Sequence, residues 1–67
     1  MENRTIFEFR TKEQVKKFVK ELRARFILTH NLGEKVVEIF QFDKIKEEHR
    51  ASVLATANRA YSQIINK

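Results

Sequence analysis

Four cationic residues recur at helical spacing in the first third of the chain, at intervals of four, four and three residues. They are Lys12, Lys16, Lys20 and Arg23. An α-helix turns about 100° per residue, so these positions fall within roughly 80° of its circumference. A row of cations on one helix face predicts a surface that contacts phosphate groups, and we call these four residues the basic stripe. The further cations expected to extend it are Arg4, Arg10 and Lys35.

The acidic residues of the same segment are placed to leave the basic stripe largely unneutralised. Glu13 precedes Lys17 by four residues and Glu21 precedes Arg25 by four, which is the spacing at which opposite charges pair on a helix. The alternative interpretation is a solubilising helix face, because Lys and Arg are also strong helix formers.

Residues suited to catalysis or metal binding are sparse. The chain has no cysteine and only two histidines, His30 and His49, whereas a zinc site needs three or four ligands. Glu38, between apolar neighbours, is more typical of a solvated strand face than of a catalytic acid. A phosphate-binding loop formed by backbone N–H groups needs several glycines, and this chain has one. We therefore expect no catalysis, metal, cofactor or small-molecule substrate. The weakest hypothesis is an enzyme subunit whose active site forms only when subunits assemble.

Composition narrows the class of protein and its partners. With 67 residues, 42% hydrophobic content and no cysteine, we expect a single domain over 1–67 with a thin core. The N-terminal residues do not resemble a secretion signal and no apolar run approaches a membrane span, which favours a cytoplasmic protein without a membrane partner. The net charge of +5 favours anionic partners such as DNA or RNA.

The stripe is predicted to lie on a helix that follows a strand. Residues 5–10 alternate apolar and charged side chains, as strands do. Thr11 and Gln14 form a capping box, and apolar residues then recur every three or four positions, which predicts a helix from 11 to about 24.

The second half predicts a hairpin and a long helix. Two β-rich runs, 26–30 and 34–42, flank a three-residue loop in which Gly33 would adopt the left-handed conformation. Asp43 is the expected N-cap of a helix from 44 to about 66, whose first two turns would project beyond the core.

This order, β-α-β-β-α, predicts an α+β fold: a three-stranded mixed sheet with both helices on one face. The strand order is 1-2-3 or 1-3-2, and we favour 1-3-2 because the third strand is the longest and most apolar. Strand alternation then leaves apolar residues on the outer face whichever residues point inward. That face predicts a homodimer.

Two functions remain in competition. The basic stripe favours a nucleic-acid-binding protein, whereas the apolar outer sheet face favours a protein-binding module, such as a regulator or inhibitor of a larger protein. The residue pattern does not decide between them.

Overall fold

A computed structural model describes residues 5–66, and the elements follow the predicted order β-α-β-β-α. The elements are β1 (Ile6–Glu8), α1 (Lys12–Arg23), β2 (Thr29–Asn31), β3 (Val36–Ile39) and α2 (Glu47–Ile65). Each strand is shorter than its predicted run.

The sheet has the order β1-β3-β2, which confirms the favoured arrangement. Val37, in the central strand, lies opposite Phe7 of β1 and Asn31 of β2. Both pairings are antiparallel, so the expectation of a mixed sheet is wrong. β1 and β2 do run in the same direction, but β3 separates them, and no parallel pair forms within residues 5–66.

The core lies between one face of the sheet and the two helices. Strand residues at alternate positions point into it, which is the period expected of a sheet with one covered face. The buried residues are Phe7, Phe9, Val15, Phe18, Leu22, Val37, Ile39, Ala57 and Ala60. Phe18 of α1 and Tyr61 of α2 both contact Phe7 and Phe9, so both helices cover the same face.

These four aromatic side chains form the centre of the core. The ring centroids of Phe7 and Phe9 lie 5.0 Å from that of Phe18, and 5.2 and 5.1 Å from that of Tyr61. Tilted or edge-on rings at this separation stabilise each other by about 0.5–1.5 kcal/mol per pair beyond their burial. The contacts join β1 to both helices.

The start of α1 matches the predicted cap. The Gln14 N–H donates to Thr11 Oγ1 at 3.2 Å, and the Arg10 N–H donates to Gln14 Oε1 at 2.9 Å. The return bond therefore reaches one residue further back than in the standard capping box. The cap fixes where the helix starts and therefore the direction in which the stripe residues point.

The end of α1 is a Schellman motif built without glycine. The Phe26 N–H donates to the Arg23 carbonyl oxygen at 2.9 Å, and the Ile27 N–H donates to the Leu22 carbonyl oxygen at 2.9 Å. Phe26 has a φ of 63°, a left-handed conformation normally given to glycine at this position.

The hairpin loop lies two residues later than predicted. The N–H groups of Leu32 and Gly33 donate to the Val36 carbonyl oxygen at 2.9 and 3.3 Å, so residues 33–35 form the loop. Gly33 does not have a positive φ, which overturns its predicted left-handed conformation. The predicted and the observed loops both have three residues, so the shift leaves the alternation of the two faces unchanged.

The segment before α2 also differs from the prediction. Gln41, with a φ of 50°, turns the chain into a 3-10 helix over Phe42–Lys44, and α2 begins only at Glu47 with Lys46 as its N-cap. Asp43 is therefore not the cap, because this turn packs Phe42 against the core. Arg50 does not project beyond the core: its guanidinium donates to the carbonyl oxygens of Asp43 and Ile45 at 2.8 and 3.0 Å.

The outer face of the sheet exposes large apolar side chains, as the alternation predicts. They are Ile6, Leu28, Leu32 and Phe40, with exposed fractions of 41–58%. A polar pair interrupts them, because His30 Nδ1 lies 3.7 Å from Glu38 Oε1.

Candidate nucleic-acid interface

α1 presents the basic stripe to solvent. Val15, Phe18 and Leu22 are buried, so the opposite side of the helix is open. All four stripe residues are exposed. The core therefore orients the helix and leaves the cations free to contact an external ligand.

Three of the four stripe residues have no ionic partner among the residues that the structure describes. Within residues 5–66, no carboxylate lies within 4 Å of the charged groups of Lys16, Lys20 or Arg23. Lys12 differs, because its Nζ lies 3.8 Å from Oε1 of Glu34 in the hairpin loop. Both side chains are largely exposed, so this contact is weak.

The predicted ion pairs on the helix form only in part. Arg25 Nη1 lies 3.0 Å from Glu21 Oε2 and also donates to the Glu21 carbonyl oxygen at 2.9 Å. Glu13 and Lys17 do not approach within ion-pair distance. In the described part of the chain, the acid that reaches the stripe comes from the hairpin loop, and helical spacing within α1 could not predict this contact.

A shallow groove runs beside the stripe, between α1 and β2. Val15 and Val19 contribute its aliphatic part, and Asn31 of β2 lines the opposite wall. Lys16, Lys20 and Arg23 line the same groove, which has a volume of about 370 Å³. A ligand in this groove would meet three cations, an amide and aliphatic carbon.

Asn31 is a site residue that the sequence did not predict, because the sequence pattern placed it in the hairpin loop. It is instead the last residue of β2, opposite Val37, and lies on the same face of the sheet as the helices. The signal in the sequence is that Asn31 directly follows His30. Neighbouring residues of a strand point to opposite faces, so if the strand continues to Asn31, the two side chains lie on different faces of the sheet.

The structure places two of the three further cations near the start of α1. Arg10 precedes the Thr11 cap, and Lys35 lies in the hairpin loop, where its carbonyl oxygen accepts a bond from the Phe9 N–H at 2.8 Å. That bond brings the backbones of these two exposed cations together near the N-terminus of α1. Arg4 lies outside the described residues.

The histidines do not gather into a metal centre. Within residues 5–66 no cluster of three or more His, Cys, Asp or Glu side chains is close enough to hold an ion. His30 lies beside Glu38 on the outer sheet face, and His49 Nε2 lies 3.9 Å from Glu48 Oε1 at the start of α2.

The aromatic residues do not line the stripe. Phe7, Phe9 and Phe18 are buried, so these three rings are not available to stack on nucleotide bases. Phe26 and Phe40 are exposed, and both line a depression other than the stripe groove. The chemistry that the stripe groove offers is contact with phosphate and polar groups.

Across residues 5–66, neither helix has both the length and the apolar character needed to cross a membrane. Comparison of the chain with protein-family models, with curated proteins and with solved structures gave no match.

Proposed function

We propose that this protein is a non-catalytic nucleic-acid-binding protein that contacts phosphates through the basic stripe. The observation that carries the proposal is the row of three cations, Lys16, Lys20 and Arg23, that are exposed and have no carboxylate partner among the described residues. Unpaired cations in a row attract a polyanion, since bound counterions are released when phosphates take their place.

The spacing of these cations suits a nucleic-acid strand. From residue 16 to residue 23 the helix rises about 10 Å, at about 1.5 Å per residue. Along one strand of duplex DNA, phosphates follow one another at about 3.4 Å along the axis, so about three phosphates span the same length. One strand therefore supplies about as many charges as the stripe leaves free.

Other cations have a secondary role in this proposal. Arg10 and Lys35, near the N-terminus of α1, extend the positive surface, whereas Glu34 reduces the contribution of Lys12. Contacts to phosphate carry little sequence information, so we expect low sequence preference. A ligand of this kind favours the cytoplasm as the compartment.

The test is a fluorescence-anisotropy titration with labelled DNA and RNA, duplex and single-stranded, at several salt concentrations. Three phosphate contacts on duplex DNA give a log–log salt slope near −2.7, from about −0.9 per contact. The double variant Lys16→Glu/Lys20→Glu should lose most of the affinity and keep its fold by circular dichroism, because both side chains point to water.

The matched control is Lys46→Glu/Arg59→Glu, which changes the net charge by the same amount at exposed positions away from the stripe. It should retain most of the affinity. Equal losses in the two double variants would mean that overall charge, and not the stripe, determines binding. Absence of binding to every nucleic acid at low salt would refute the proposal.

The exposed apolar outer face supports a second candidate, a regulator that binds a larger protein. Under that hypothesis the cations of α1 only keep the protein in solution. Wild-type protein would then fail to bind nucleic acid. Substitutions on the outer face would abolish binding to the larger protein, and substitutions on the stripe would not.

A further inference from the structure

Phe26 combines two features that folding alone does not require. Its exposed fraction is 95%, so the ring contributes almost nothing to the core. Its φ of 63° is strained for a side chain with a Cβ, whereas glycine would close the Schellman motif without that strain. An aromatic ring at such a position suggests a role outside the folded monomer.

Two more exposed apolar residues adjoin Phe26. Leu28, 58% exposed, and Phe40, 41% exposed, line one shallow depression with it. The Phe40 N–H donates to the Leu28 carbonyl oxygen at 3.0 Å, so these two residues are neighbours across β2 and β3. We call Phe26, Leu28 and Phe40 the Phe26 cluster. Gln41, the other non-glycine residue with positive φ among residues 5–66, lines the same depression.

We propose that the Phe26 cluster is the surface on which a second copy of this chain docks, in a two-fold symmetric contact. In such a contact the same patch faces itself, so an apolar cluster on one copy meets an apolar cluster on the other. The protruding ring of Phe26 would enter the partner's depression, whose volume is about 330 Å³.

The area of the cluster matches a weak dimer. Taking about 200 Å² for a large apolar residue, its three side chains expose roughly 400 Å². Two copies together would bury about 800 Å² of apolar surface from the clusters alone. With a polar rim the total approaches the 1,200 Å² or so at which specific, stable interfaces begin.

The charges give this contact a salt dependence opposite to that of nucleic-acid binding. Each copy carries a net charge of +5, so two copies repel each other at low salt. The cluster itself contains no ionisable side chain, and Lys44 is the cation that lines its depression. Added salt screens the repulsion, and dimer affinity should therefore rise.

The experiment is sedimentation equilibrium of the full chain from about 10 to 500 µM, at 50 and 500 mM NaCl. The wild type should approach twice its 8.0 kDa mass with increasing concentration, with tighter association at 500 mM. Phe26→Gly and Leu28→Asn should each weaken dimerisation at least tenfold. The matched control is Ile65→Ala, which shortens an exposed apolar residue of α2 that lies outside the cluster and should dimerise as the wild type does.

Phe26→Gly also separates association from folding. Glycine removes the backbone strain and the lost ring has almost no buried contacts, so the Tm measured at low protein concentration should be no lower than that of the wild type. Equal dimerisation by the wild type and Phe26→Gly, or association that weakens with salt, would overturn the proposal. A wild type that stays monomeric at 500 µM would also overturn it and assign the cluster to a different protein.

Discussion

The Tyr61 hydroxyl donates a hydrogen bond of 2.8 Å to the carbonyl oxygen of Glu8. Phe7 pairs with Val37. The Phe9 N–H donates to the Lys35 carbonyl oxygen, and the Ile39 N–H donates to the Thr5 carbonyl oxygen. The backbone groups of residues 5, 7 and 9 therefore face β3, and those of residues 6 and 8 face the other way. The Glu8 carbonyl therefore points away from β3, along the free edge of the sheet. The hydroxyl occupies an acceptor that an added strand would need.

We expect Tyr61→Phe to lower the free energy of unfolding by about 1 kcal/mol, because it removes this bond and keeps the ring among Phe7, Phe9 and Phe18. Urea unfolding followed by circular dichroism measures the change. An unchanged midpoint would mean that the hydroxyl gains as much from water as from Glu8.

Gly33→Ala should leave stability unchanged or raise it by about 0.4–1 kcal/mol. Gly33 does not have a positive φ, and a Cβ there would lie 4.0 Å from the Val36 side chain, which is an ordinary van der Waals contact. Alanine at a compatible position restricts the unfolded chain. Thermal unfolding decides the sign, and a loss of 1 kcal/mol or more would restore the left-handed turn that the sequence suggested.

Arg50→Met should lower the free energy of unfolding by about 1 kcal/mol or more. The guanidinium donates to the Asp43 and Ile45 carbonyl oxygens and lies 5.7 Å from the centroid of the Phe42 ring. Methionine keeps much of the apolar volume but donates no bond. Arg50→Lys should recover little, because an ammonium lacks the planar fork that reaches both carbonyls. Full recovery by lysine in urea unfolding would reduce the effect to charge alone.

Glu34→Gln should strengthen nucleic-acid binding, provided that the stripe contacts phosphates. The substitution frees Lys12, whose Nζ lies 3.8 Å from Glu34, to act as a fourth cation of the stripe. The salt slope on duplex DNA would steepen by up to about 0.9. Glu47→Gln makes the same change in charge at the start of α2, and an equal gain in both variants would contradict a specific role for Lys12.

Periodic features were predictable and single turns were not. Period two predicted that one face of each strand is covered, but it did not decide which residues of β3 point inward. The structure buries Val37 and Ile39. The hairpin loop was misplaced because a shift of two residues leaves that alternation unchanged.

The turns escaped prediction because the residues in them do not carry the usual markers. Phe26 and Gln41 adopt the left-handed conformation where glycine would be expected, whereas Gly33 does not. Asp43 resembles an N-cap, but the 3-10 turn that buries Phe42 delays α2 to Glu47. The cationic row of the candidate site followed from helical spacing, whereas the contact of Lys12 with Glu34 depends on how the hairpin loop lies against α1.

The central position of β3 makes the sheet a single cooperative unit. Among the described residues, β1 and β2 each pair with β3 and with no other strand. If the four residues of β3 separate from their neighbours, neither outer strand keeps a ladder. Loss of β3 therefore dissolves the whole sheet, whereas fraying of one outer strand exposes only the β3 amides that pair with that strand. Those amides should exchange with solvent together with the strand that frays.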